Sequence, residues 1–432
     1  MSQKRCVVVI CDSLRNDLLG ASTPTLTMLA QRGTRALQAR AVFPSTTRVS
    51  AASIATGCYP QRHGLLGNTM ILRESDGLVV RSVGRPEFRE QLHAATGAYL
   101  RVPTLAQRLQ PQRATAIYSN VSPGAAYFFD PERCGYVFHR TGSYAPGGKA
   151  LSGEDGLAIA PGAAGDEHMT TRFCEHLLAD DRLALAVLWL SEPDASGHAQ
   201  CLGNARHHVA IRGADACVAR VFEAAERLRE RGEDVLLMVG SDHGMVTITD
   251  QVDIGRALIE AGFKAGPDSR DIVVAPNGTA AVLGFDDAYP HGGALLDWLT
   301  RQPWVGELAA GGELAGWGMP DSPASRIAIS LAGDDAHNAE GLPGTAWYAV
   351  DPAEDKNYIG QGQHGGRHPR ERHPFLIVQG GDFAPAAQIT RTVSLVDYAP
   401  TILRHLGMPA QGMQGRPLQQ AAPAEAGAPL LD

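Results

Sequence analysis

Cysteines in the spacing of a disulfide framework or a thiolate metal site are missing from this sequence. The chain has 7 cysteines, an odd number, and they are scattered without CxxC pairs. Disulfide scaffolds and zinc-ribbon sites depend on such spacing, so both are excluded. We expect free thiols in a reducing compartment and therefore predict a cytoplasmic protein.

Also missing are a long hydrophobic run and an excess of positive charge. No stretch approaches the roughly 20 apolar residues of a membrane span, and the apolar run before Asp12 is too short for a secretory signal peptide. The net charge of −8 argues against a nucleic-acid polymer as a partner. With 44% hydrophobic and 19% charged residues, the 432-residue chain has the composition of a soluble globular protein. We expect no membrane association, and the sequence leaves the oligomeric state open.

Short apolar runs alternate with helical patterns along the chain, which is typical of an α/β fold with a mostly parallel central sheet flanked by helices. Strands are predicted at Cys6 to Ile10, Thr115 to Tyr118, Leu183 to Leu190, Val235 to Val239 and Pro374 to Gln379. Helices are predicted at Thr25 to Gly33, His208 to Arg231 and Leu395 to Leu406.

Two regions interrupt this alternation. Ser122 to Gly165 is rich in Gly, Pro and Ala and is expected to be a long insertion near the site. Its Tyr127-Phe128-Phe129 cluster is expected to pack inside the insertion, with stacking on a base as the alternative. Residues 250–358 have strand and helix signals of their own and are predicted to form a smaller inserted cap. Residues 1–249 and 359–432 would then form the catalytic core, ending in a frayed tail from Gln419.

The stretch from Phe43 to Asn68 begins with a Pro-marked turn that carries Thr46 and Thr47. The residues from Val49 to Thr56 are small or apolar and predict a helix that ends at Gly57. Hydroxyl residues at a helix start are commonly caps. The free amides and positive dipole end of a helix also suit a nucleophile that attacks phosphate, so local sequence leaves both roles open.

Acidic and histidine residues follow three of the predicted strands. Ligands in open α/β sheets bind beyond the carboxyl ends of the strands. Carboxylate oxygens and imidazole nitrogens are what a zinc-type cation prefers where no thiolate is used. Six such residues are enough for two metals that share a bridging substrate, roughly 3.5–4 Å apart. The six residues are Asp12, Asp194, His198, Asp242, His243 and His364.

These motifs together resemble the alkaline phosphatase superfamily, and within it the nucleotide pyrophosphatase/phosphodiesterase group and the related phosphonoacetate hydrolases. The likeness is carried by DSLRNDLLG, FPSTTR, TGCYPQRHGLLGN, PDASGH, SDHGM, HGG and SLVDYAPTILRHLGMP, which occur in the family's order along the chain. The resemblance implies an alkaline phosphatase-like fold and a metal-dependent hydrolase of small phosphate or phosphonate esters.

Carried over by position, the resemblance places one metal on Asp194, His198 and His364. The second metal falls on Asp12, Asp242 and His243, with the oxygen of the nucleophile Thr47 completing it. Asn68 matches the side chain that donates a hydrogen bond to a phosphoryl oxygen. Two divalent ions, Zn²⁺ first among them, and a phospho-threonine intermediate follow from this correspondence.

Arg48 departs from the family pattern, because the position after the nucleophile is commonly aromatic or Asn. A guanidinium beside the nucleophile suits a second negative charge on the substrate. The leading prediction is phosphodiester hydrolysis, and the alternatives are a phosphonate of the phosphonoacetate kind or a phosphomonoester. A sulfatase, suggested by a loose C-x-P-x-R match at Cys58, and a non-catalytic metal-binding relative are less favoured readings.

Two further groups of residues are given structural roles. His207 and His208 open a helix and are expected to be exposed. The basic run after His364 is expected to be a solvated loop, with a share in binding an anionic substrate as the alternative. It consists of Arg367, His368, Arg370, Arg372 and His373.

Overall fold

Residues 2–121, 123–354 and 356–419 are described by the structure, a computed structural model. The strands are β1 (Lys4–Cys11), β2 (Thr34–Arg40), β3 (Thr69–Glu74), β4 (Gly77–Ser82), β5 (Ala114–Ser119), β6 (Tyr136–His139), β7 (Gly142–Tyr144), β8 (Ala150–Leu151), β9 (Leu183–Leu190), β10 (Asp234–Gly240), β11 (Val246–Val252), β12 (Ile272–Pro276), β13 (Ala280–Phe285), β14 (Val305–Ala310), β15 (Ile327–Leu331), β16 (Gly333–His337), β17 (Pro343–Ala349), β18 (Gly362–Gln363), β19 (Leu376–Gln379) and β20 (Ala387–Ser394).

The α-helices are α1 (Pro24–Arg32), α2 (Thr47–Thr56), α3 (Pro60–His63), α4 (Phe88–Thr96), α5 (Leu105–Leu109), α6 (Pro123–Phe129), α7 (Ala163–Ala179), α8 (Asp194–Ala199), α9 (Ala205–Glu230), α10 (Ile254–Glu260), α11 (Gly292–Leu299), α12 (Pro369–Arg372) and α13 (Tyr398–His405). Short 3-10 helices occupy Asn16–Leu18, Gly311–Trp317 and Leu395–Asp397.

A ten-stranded sheet in the order β20-β2-β19-β10-β1-β9-β5-β6-β7-β8 runs through the molecule. The neighbours from β10 across β1, β9 and β5 to β6 are all parallel, whereas β19 runs antiparallel to both β10 and β2. Helices cover both faces. The predicted α/β class with a mostly parallel central sheet is confirmed.

The two faces of this sheet follow from the alternation of side chains along its buried strands. On β1, Val8 and Ile10 pack against α2 and α13, while Val7 and Val9 pack on the other face against α7 and α9. All four side chains are 0% exposed. A strand covered on both faces reads as a continuous apolar run, which is why its position was predictable.

Part of the predicted insertion from Ser122 to Gly165 joins the central sheet, as its described residues 123–165 show. It supplies α6, which packs on α2, and then β6, β7 and β8 at one edge of the sheet. The prediction that the aromatic cluster packs internally is confirmed for Phe128 and Phe129, which are 1% and 2% exposed. Arg140 lies in the turn between β6 and β7.

Residues 250–358 contain a second, antiparallel sheet in the order β12-β13-β15-β14, with α10 and α11 packed on it. A third small sheet joins β16 and β17 of this region to β11 and β18. Residue 250 itself lies within β11, and the division of the chain into a core and an inserted cap stays a prediction.

The predicted tail begins at Gln419, which is 4% exposed and donates a hydrogen bond to the carbonyl oxygen of Thr401. The rest of that tail, residues 420–432, lies outside the described residues. Among the helices that the structure describes, none is both long enough and apolar enough to cross a membrane.

Candidate active site

The predicted ligands meet at the end of the central sheet where its parallel strands have their carboxyl ends. Asp12 follows β1, Asp194 begins α8 after β9, and Asp242 and His243 follow β10. His364 instead precedes β19. Because β19 runs antiparallel to β10, its amino end lies at the edge where the parallel strands have their carboxyl ends. A residue ahead of this strand therefore joins residues that follow the others.

One group, the buried cluster, consists of Asp12, Asp242 and His243, whose side chains are all 0% exposed. His243 Nε2 lies 3.0 Å from Asp242 Oδ2 and 3.6 Å from Asp12 Oδ1. The outer oxygens are held from behind: Trp189 Nε1 donates to Asp12 Oδ2 at 2.9 Å, and the Ser13 amide donates to Asp242 Oδ1 at 3.2 Å. The inner oxygens consequently face one another and the imidazole.

The second group, the open cluster, consists of Asp194, His198 and His364, with side-chain exposures of 16%, 30% and 6%. Asp194 Oδ1 lies 3.3 Å from His198 Nε2 and 3.5 Å from His364 Nε2, and the two imidazole nitrogens are 3.2 Å apart. The His364 ring stacks on the His243 ring at a centroid distance of 3.8 Å. The two clusters are thus in direct contact.

Each histidine presents its Nε2 lone pair inward. His198 Nδ1 faces the Gly362 carbonyl at 3.1 Å, and His364 Nδ1 faces the Ser45 carbonyl at 2.8 Å. His243 Nδ1 faces the Gly244 carbonyl at 3.0 Å. A carbonyl oxygen only accepts, so Nδ1 carries the hydrogen and Nε2 is left as an acceptor opposite carboxylates. Acceptor atoms that face one another repel, and a cation or an extra proton between them would remove that repulsion.

The carboxylates give the same indication. Within the part of the chain that the structure describes, Asp12 Oδ1, Asp194 Oδ1 and Asp242 Oδ2 are buried without a hydrogen-bond donor. Burial, and then the negative charges of Asp242 and Asp194, raise the pKa of Asp12 well above its usual value. Burial, and then the neighbouring His243, lower the pKa of His364 and favour its neutral, metal-binding form. In each cluster, one atom per residue lies within 4.8 Å of the others, so each cluster could hold one metal ion.

Thr47 is the first residue of α2 and lies beside the buried cluster, with its Oγ1 3.4 Å from His243 Nε2. Thr46 has the extended backbone of a cap residue but makes no side-chain cap hydrogen bond. The helix ends at Gly57 with φ 65°, as its sequence predicted. Every residue of α2 except Arg48 is buried, and the run of Ala and Ser allows the neighbouring helix α6 to approach closely.

Asn68 lies between α3 and β3, and its buried Oδ1 has no hydrogen-bond donor among the described residues. Its backbone amide donates to Asn277 Oδ1 at 2.6 Å, and Asn277 also accepts from the Thr69 amide at 3.1 Å. Sequence reasoning missed Asn277. The Asn277-Gly278 pair between two apolar runs marks a turn, but nothing local indicates that this turn reaches Asn68.

Arg48 points into the site without an acidic partner: no carboxylate of residues 2–121, 123–354 or 356–419 forms an ion pair with it, and its Nε has no hydrogen-bond acceptor. Its side chain crosses two glycines. A Cβ at Gly84 would lie 2.6 Å from Arg48 Nη2, and a Cβ at Gly124 would lie 2.5 Å from Arg48 Nε. Burial lowers the pKa of Arg48 to about 10, so the guanidinium is still charged at neutral pH.

Two cavities open onto these residues. The larger has a volume of about 750 Å³ and extends from Asn68, His198 and His364 to Tyr348 and Tyr358, whose rings lie 4.7 Å apart. The smaller, about 240 Å³, is lined by Thr47, Asn68, Asp194, His198 and His364, together with Arg48, Asn120 and Arg140. Arg48 and Asn68 line both cavities.

Two buried acids that sequence reasoning also missed support the ligand loops. Asp166 accepts hydrogen bonds from the amides of Ser191 and Glu192 at 2.9 and 3.0 Å, just ahead of Asp194. Glu371 accepts a hydrogen bond from the Gly366 amide at 2.8 Å, two residues after His364. Asp166 is 25 residues from Ser191 in the sequence, and Glu371 is 5 residues from Gly366; neither contact has a periodic pattern that would reveal it.

Two other residues singled out in the sequence, Cys58 and His207, line neither cavity. Cys58 is 1% exposed, lines neither cavity, and its Sγ faces the Gly412 carbonyl at 3.6 Å. The prediction that His207 is exposed is wrong, because it is 3% exposed and its Nδ1 accepts a hydrogen bond from the Gly203 amide at 3.1 Å. Burial lowers the pKa of His207 to about 4.

Two arginines of the basic run after His364 are ion-paired, and none of the run's residues lines either cavity. Arg367 pairs with Glu307 at 3.0 Å and stacks over Trp317. Arg370 pairs with Asp17 and Asp335.

Comparison with known families gives a match to the sequence of this chain. Residues 6–294 match the model of the type I phosphodiesterase/nucleotide pyrophosphatase family. The chain belongs to the type I phosphodiesterase/nucleotide pyrophosphatase family. This family lies in the alkaline phosphatase superfamily, as the sequence motifs predicted. A search of curated proteins found no match.

Solved structures share the fold of this phosphodiesterase family member. Murine ectonucleotide pyrophosphatase/phosphodiesterase 5, as an inactive variant with alanine in place of a threonine and in complex with AMP, has 18% identity and a TM-score of 0.66, covering 96% of this chain and 97% of that one. A second structure of the murine protein, described with no substitution and no ligand, has 18% identity and a TM-score of 0.66, covering 95% of this chain and 97% of that one. The human protein has 16% identity and a TM-score of 0.67, also covering 95% and 97%.

Proposed function

We propose that the protein is a two-metal hydrolase of small phosphate esters, with phosphodiesters as the leading substrate class and Thr47 as the nucleophile. The observation that carries this proposal is the inward-facing set of six acceptor residues beside a hydroxyl at a helix start. Family membership supports the phosphodiesterase class. The inactive threonine-to-alanine variant of the murine relative, with AMP bound, supports a threonine nucleophile and a small nucleotide-like ester.

Asp12, Asp242, His243 and the oxygen of Thr47 would hold one divalent ion, and Asp194, His198 and His364 the other. Nitrogen and carboxylate ligands favour Zn²⁺ among the available ions. When bound, the two ions would supply positive charge that lowers the pKa of a hydroxyl and offsets the charge that grows on phosphoryl oxygens.

Thr47, Asn68 and the first turn of α2 have different roles in the proposed reaction. The Thr47 oxygen attacks phosphorus and the ester oxygen leaves, which produces a phospho-threonine that water hydrolyses in a second step. Asn68 donates its amide to a non-bridging oxygen, and the amides in the first turn of α2 have no intrahelical partner and face the same anion. The larger cavity gives room for the remaining ester group.

Arg48 favours a second candidate function, the hydrolysis of a phosphonate such as phosphonoacetate or of a phosphomonoester. A charged, unpaired guanidinium next to the nucleophile suits a substrate with more negative charge than a diester. A sulfatase receives less support, because Cys58 is buried away from both cavities.

The cytoplasmic location stays a prediction. All seven cysteines are free within the described residues, which agrees with a reducing compartment. The structural relatives are named ectonucleotide enzymes. Trapping the cysteines with a membrane-impermeant and a membrane-permeant thiol reagent in intact cells would distinguish the two compartments.

The test of the proposed function is a substrate panel on metal-replete protein with and without chelator. Bis(4-nitrophenyl) phosphate, 4-nitrophenyl phosphate, phosphonoacetate and 4-nitrophenyl sulfate cover the four readings. We expect about two metal ions per chain and chelator-sensitive turnover of the diester or of one of the more anionic substrates. One metal ion or none after metal-replete purification, or no turnover of any of the four, would reject the two-metal hydrolase.

A further inference from the structure

We propose that Arg48 and Arg140 form a second anion site opposite the candidate metal clusters, and that the substrate carries a carboxylate or a further phosphoryl group close to its reacting phosphorus. This inference rests on the proposed function and deepens it by naming the substrate class. It also assigns a role to Arg140, which no sequence motif singles out.

The first support is the isolation of the Arg48 charge. Its Nε is buried without an acceptor, and no described carboxylate pairs with it. The Arg48 side chain as a whole is half-buried and lines both cavities, and a partly desolvated cation gains from a paired anion. A cation kept in this state beside a phosphate-type site is therefore suited to an anion that arrives with the substrate.

The second support is the shape of the space around Arg48. A Cβ at Gly84 or at Gly124 would lie within 2.6 Å of the Arg48 side chain. Neither glycine is among the residues with positive φ, so the backbone at both positions is open to other residues. The absence of a Cβ is what these positions contribute, and it lets the Arg48 side chain lie along the wall of the cavity.

The third support is Arg140, which lines the same 240 Å³ cavity as Arg48, Thr47 and Asp194. It reaches the site because the β6–β7 turn belongs to the edge of the central sheet. Asp166 is close enough to act on the charge of Arg140, but it accepts hydrogen bonds from Ser191, Glu192 and Asn120 and forms no ion pair with Arg140 among the described residues.

Two guanidinium groups facing one small cavity match an oxyanion with two acceptor atoms. The volume of about 240 Å³ leaves room for only a short spacer between that oxyanion and the reacting phosphorus. Asn120 Oδ1, a buried acceptor without a donor, suits an N–H of either arginine and repels an anion, so the anion is expected nearer to Arg48 and Arg140 than to Asn120.

The experiment compares diesters that share a 4-nitrophenyl leaving group and differ only in a remote charge. Ethyl 4-nitrophenyl phosphate is the reference, because its ethyl group is uncharged. In 2-carboxyethyl and 2-phosphonoethyl 4-nitrophenyl phosphate, the second ester group carries the additional anion. We expect kcat/KM for at least one anionic substrate to exceed the reference about ten- to a hundredfold, the range of a charge-assisted bond. The better of the two identifies carboxylate or phosphoryl.

The variants then locate the effect. In Arg48→Ala and in Arg140→Ala the preference ratio should fall toward one, and Arg48→Lys should restore part of it. Gly84→Ala should reduce the ratio by displacing the guanidinium, whereas Gly213→Ala, where a Cβ meets nothing within 4 Å, should leave it unchanged. Arg367→Ala, which removes an arginine paired with Glu307, should also leave both rates unchanged.

A wild-type ratio near one, or a ratio that survives Arg48→Ala and Arg140→Ala, would overturn the inference while leaving the hydrolase intact. If no diester is turned over, the leading phosphodiesterase assignment fails, and binding decides the anion site separately. Metal-loaded Thr47→Ala should bind phosphonoacetate about tenfold or more tightly than methylphosphonate by calorimetry. Adding Arg48→Ala should remove that difference, and equal affinities before this second substitution would reject the site.

Discussion

The buried cluster and the open cluster use the same ligand chemistry in different surroundings. The side chains of Asp12, Asp242 and His243 are 0% exposed, whereas Asp194 and His198 are 16% and 30% exposed and border both the solvent and the cavities. Thr47 lies beside the buried cluster. The buried cluster, beside which the nucleophile would lie, is therefore held in place by the protein core. The open cluster, which would meet the leaving group and water, stays accessible.

The largest effect that would test this division is Thr47→Ala. We expect a loss of several powers of ten in kcat on the best substrate, because the covalent route disappears. Thr46→Ala is the matched control and should be far milder, since Thr46 Oγ1 makes no hydrogen bond among the described residues. If Thr46→Ala were the inactive variant, the nucleophile would lie one residue earlier and Thr47 would be a helix residue next to the cap.

A second comparison removes one ligand from each cluster with Asp242→Asn and Asp194→Asn. Each variant should bind about one metal ion per chain where the wild type binds about two, measured by elemental analysis after gel filtration. In the wild type, a chelator time course should show the ion of the open cluster leaving first, because its ligands are partly exposed. Loss of both ions at one rate would show that the difference in burial has no consequence for exchange.

The ligand variants also predict an effect on the metal-free protein. Asp12 has a raised pKa from burial and neighbouring carboxylates, so Asp12→Asn should raise the unfolding temperature of the metal-free protein while weakening metal binding. An exposed carboxylate such as Asp181 offers the matched substitution. A lowered unfolding temperature in metal-free Asp12→Asn would argue that its carboxylate is held by donors and not repelled by acceptors.

The smallest effect concerns Glu371, which touches the loops of both clusters: its carboxylate accepts from the Gly366 amide and its carbonyl from the Gly244 amide. Burial raises the pKa of Glu371 from 4.5 to about 7. A raised carboxyl pKa means that the folded state holds the proton more tightly, so its contribution is complete below pH 4.5 and is lost as the pH rises through about 7.

Glu371→Gln should remove the pH dependence that Glu371 gives to the free energy of unfolding between pH 4.5 and about 7. The change across that range should be about 3 kcal/mol at most. The measurement is the free energy of unfolding of metal-free protein by urea at several pH values, taken as the difference between wild type and variant. A difference that is constant across the range would show that Glu371 keeps its ordinary pKa in the folded state.

Much of the fold was predictable because the buried strands carry a strong local signal. The runs at β1, β9 and β10 are apolar on both faces, and a candidate ligand follows each within four residues. Boundaries agreed to within a few residues. The role of Ser122 to Gly165 was not predictable, because β6 to β8 are short edge strands whose pairing depends on a neighbouring strand and not on their own pattern.

The candidate site was predictable as a set of residues but not as an arrangement. Motif order named the six acceptors, Thr47 and Asn68. The supporting residues Asp166, Glu371 and Asn277 form side-chain hydrogen bonds across separations of 5 to 209 residues, the longest between the Asn68 amide and Asn277. No periodicity records such contacts, so sequence reasoning passed over them.

What the sequence by itself determined is the chemistry and the fold class: which carboxylates, imidazoles and hydroxyl follow which strands, and that the chain has an α/β fold with a mostly parallel central sheet flanked by helices. Only the tertiary structure decided which of them meet. The loop between β18 and the antiparallel strand β19 brings His364 to the other ligands, and the β6–β7 turn brings Arg140 into the cavity that Arg48 also lines. Strand direction and side-chain approach depend on packing between distant segments, and that packing exists only in the folded chain.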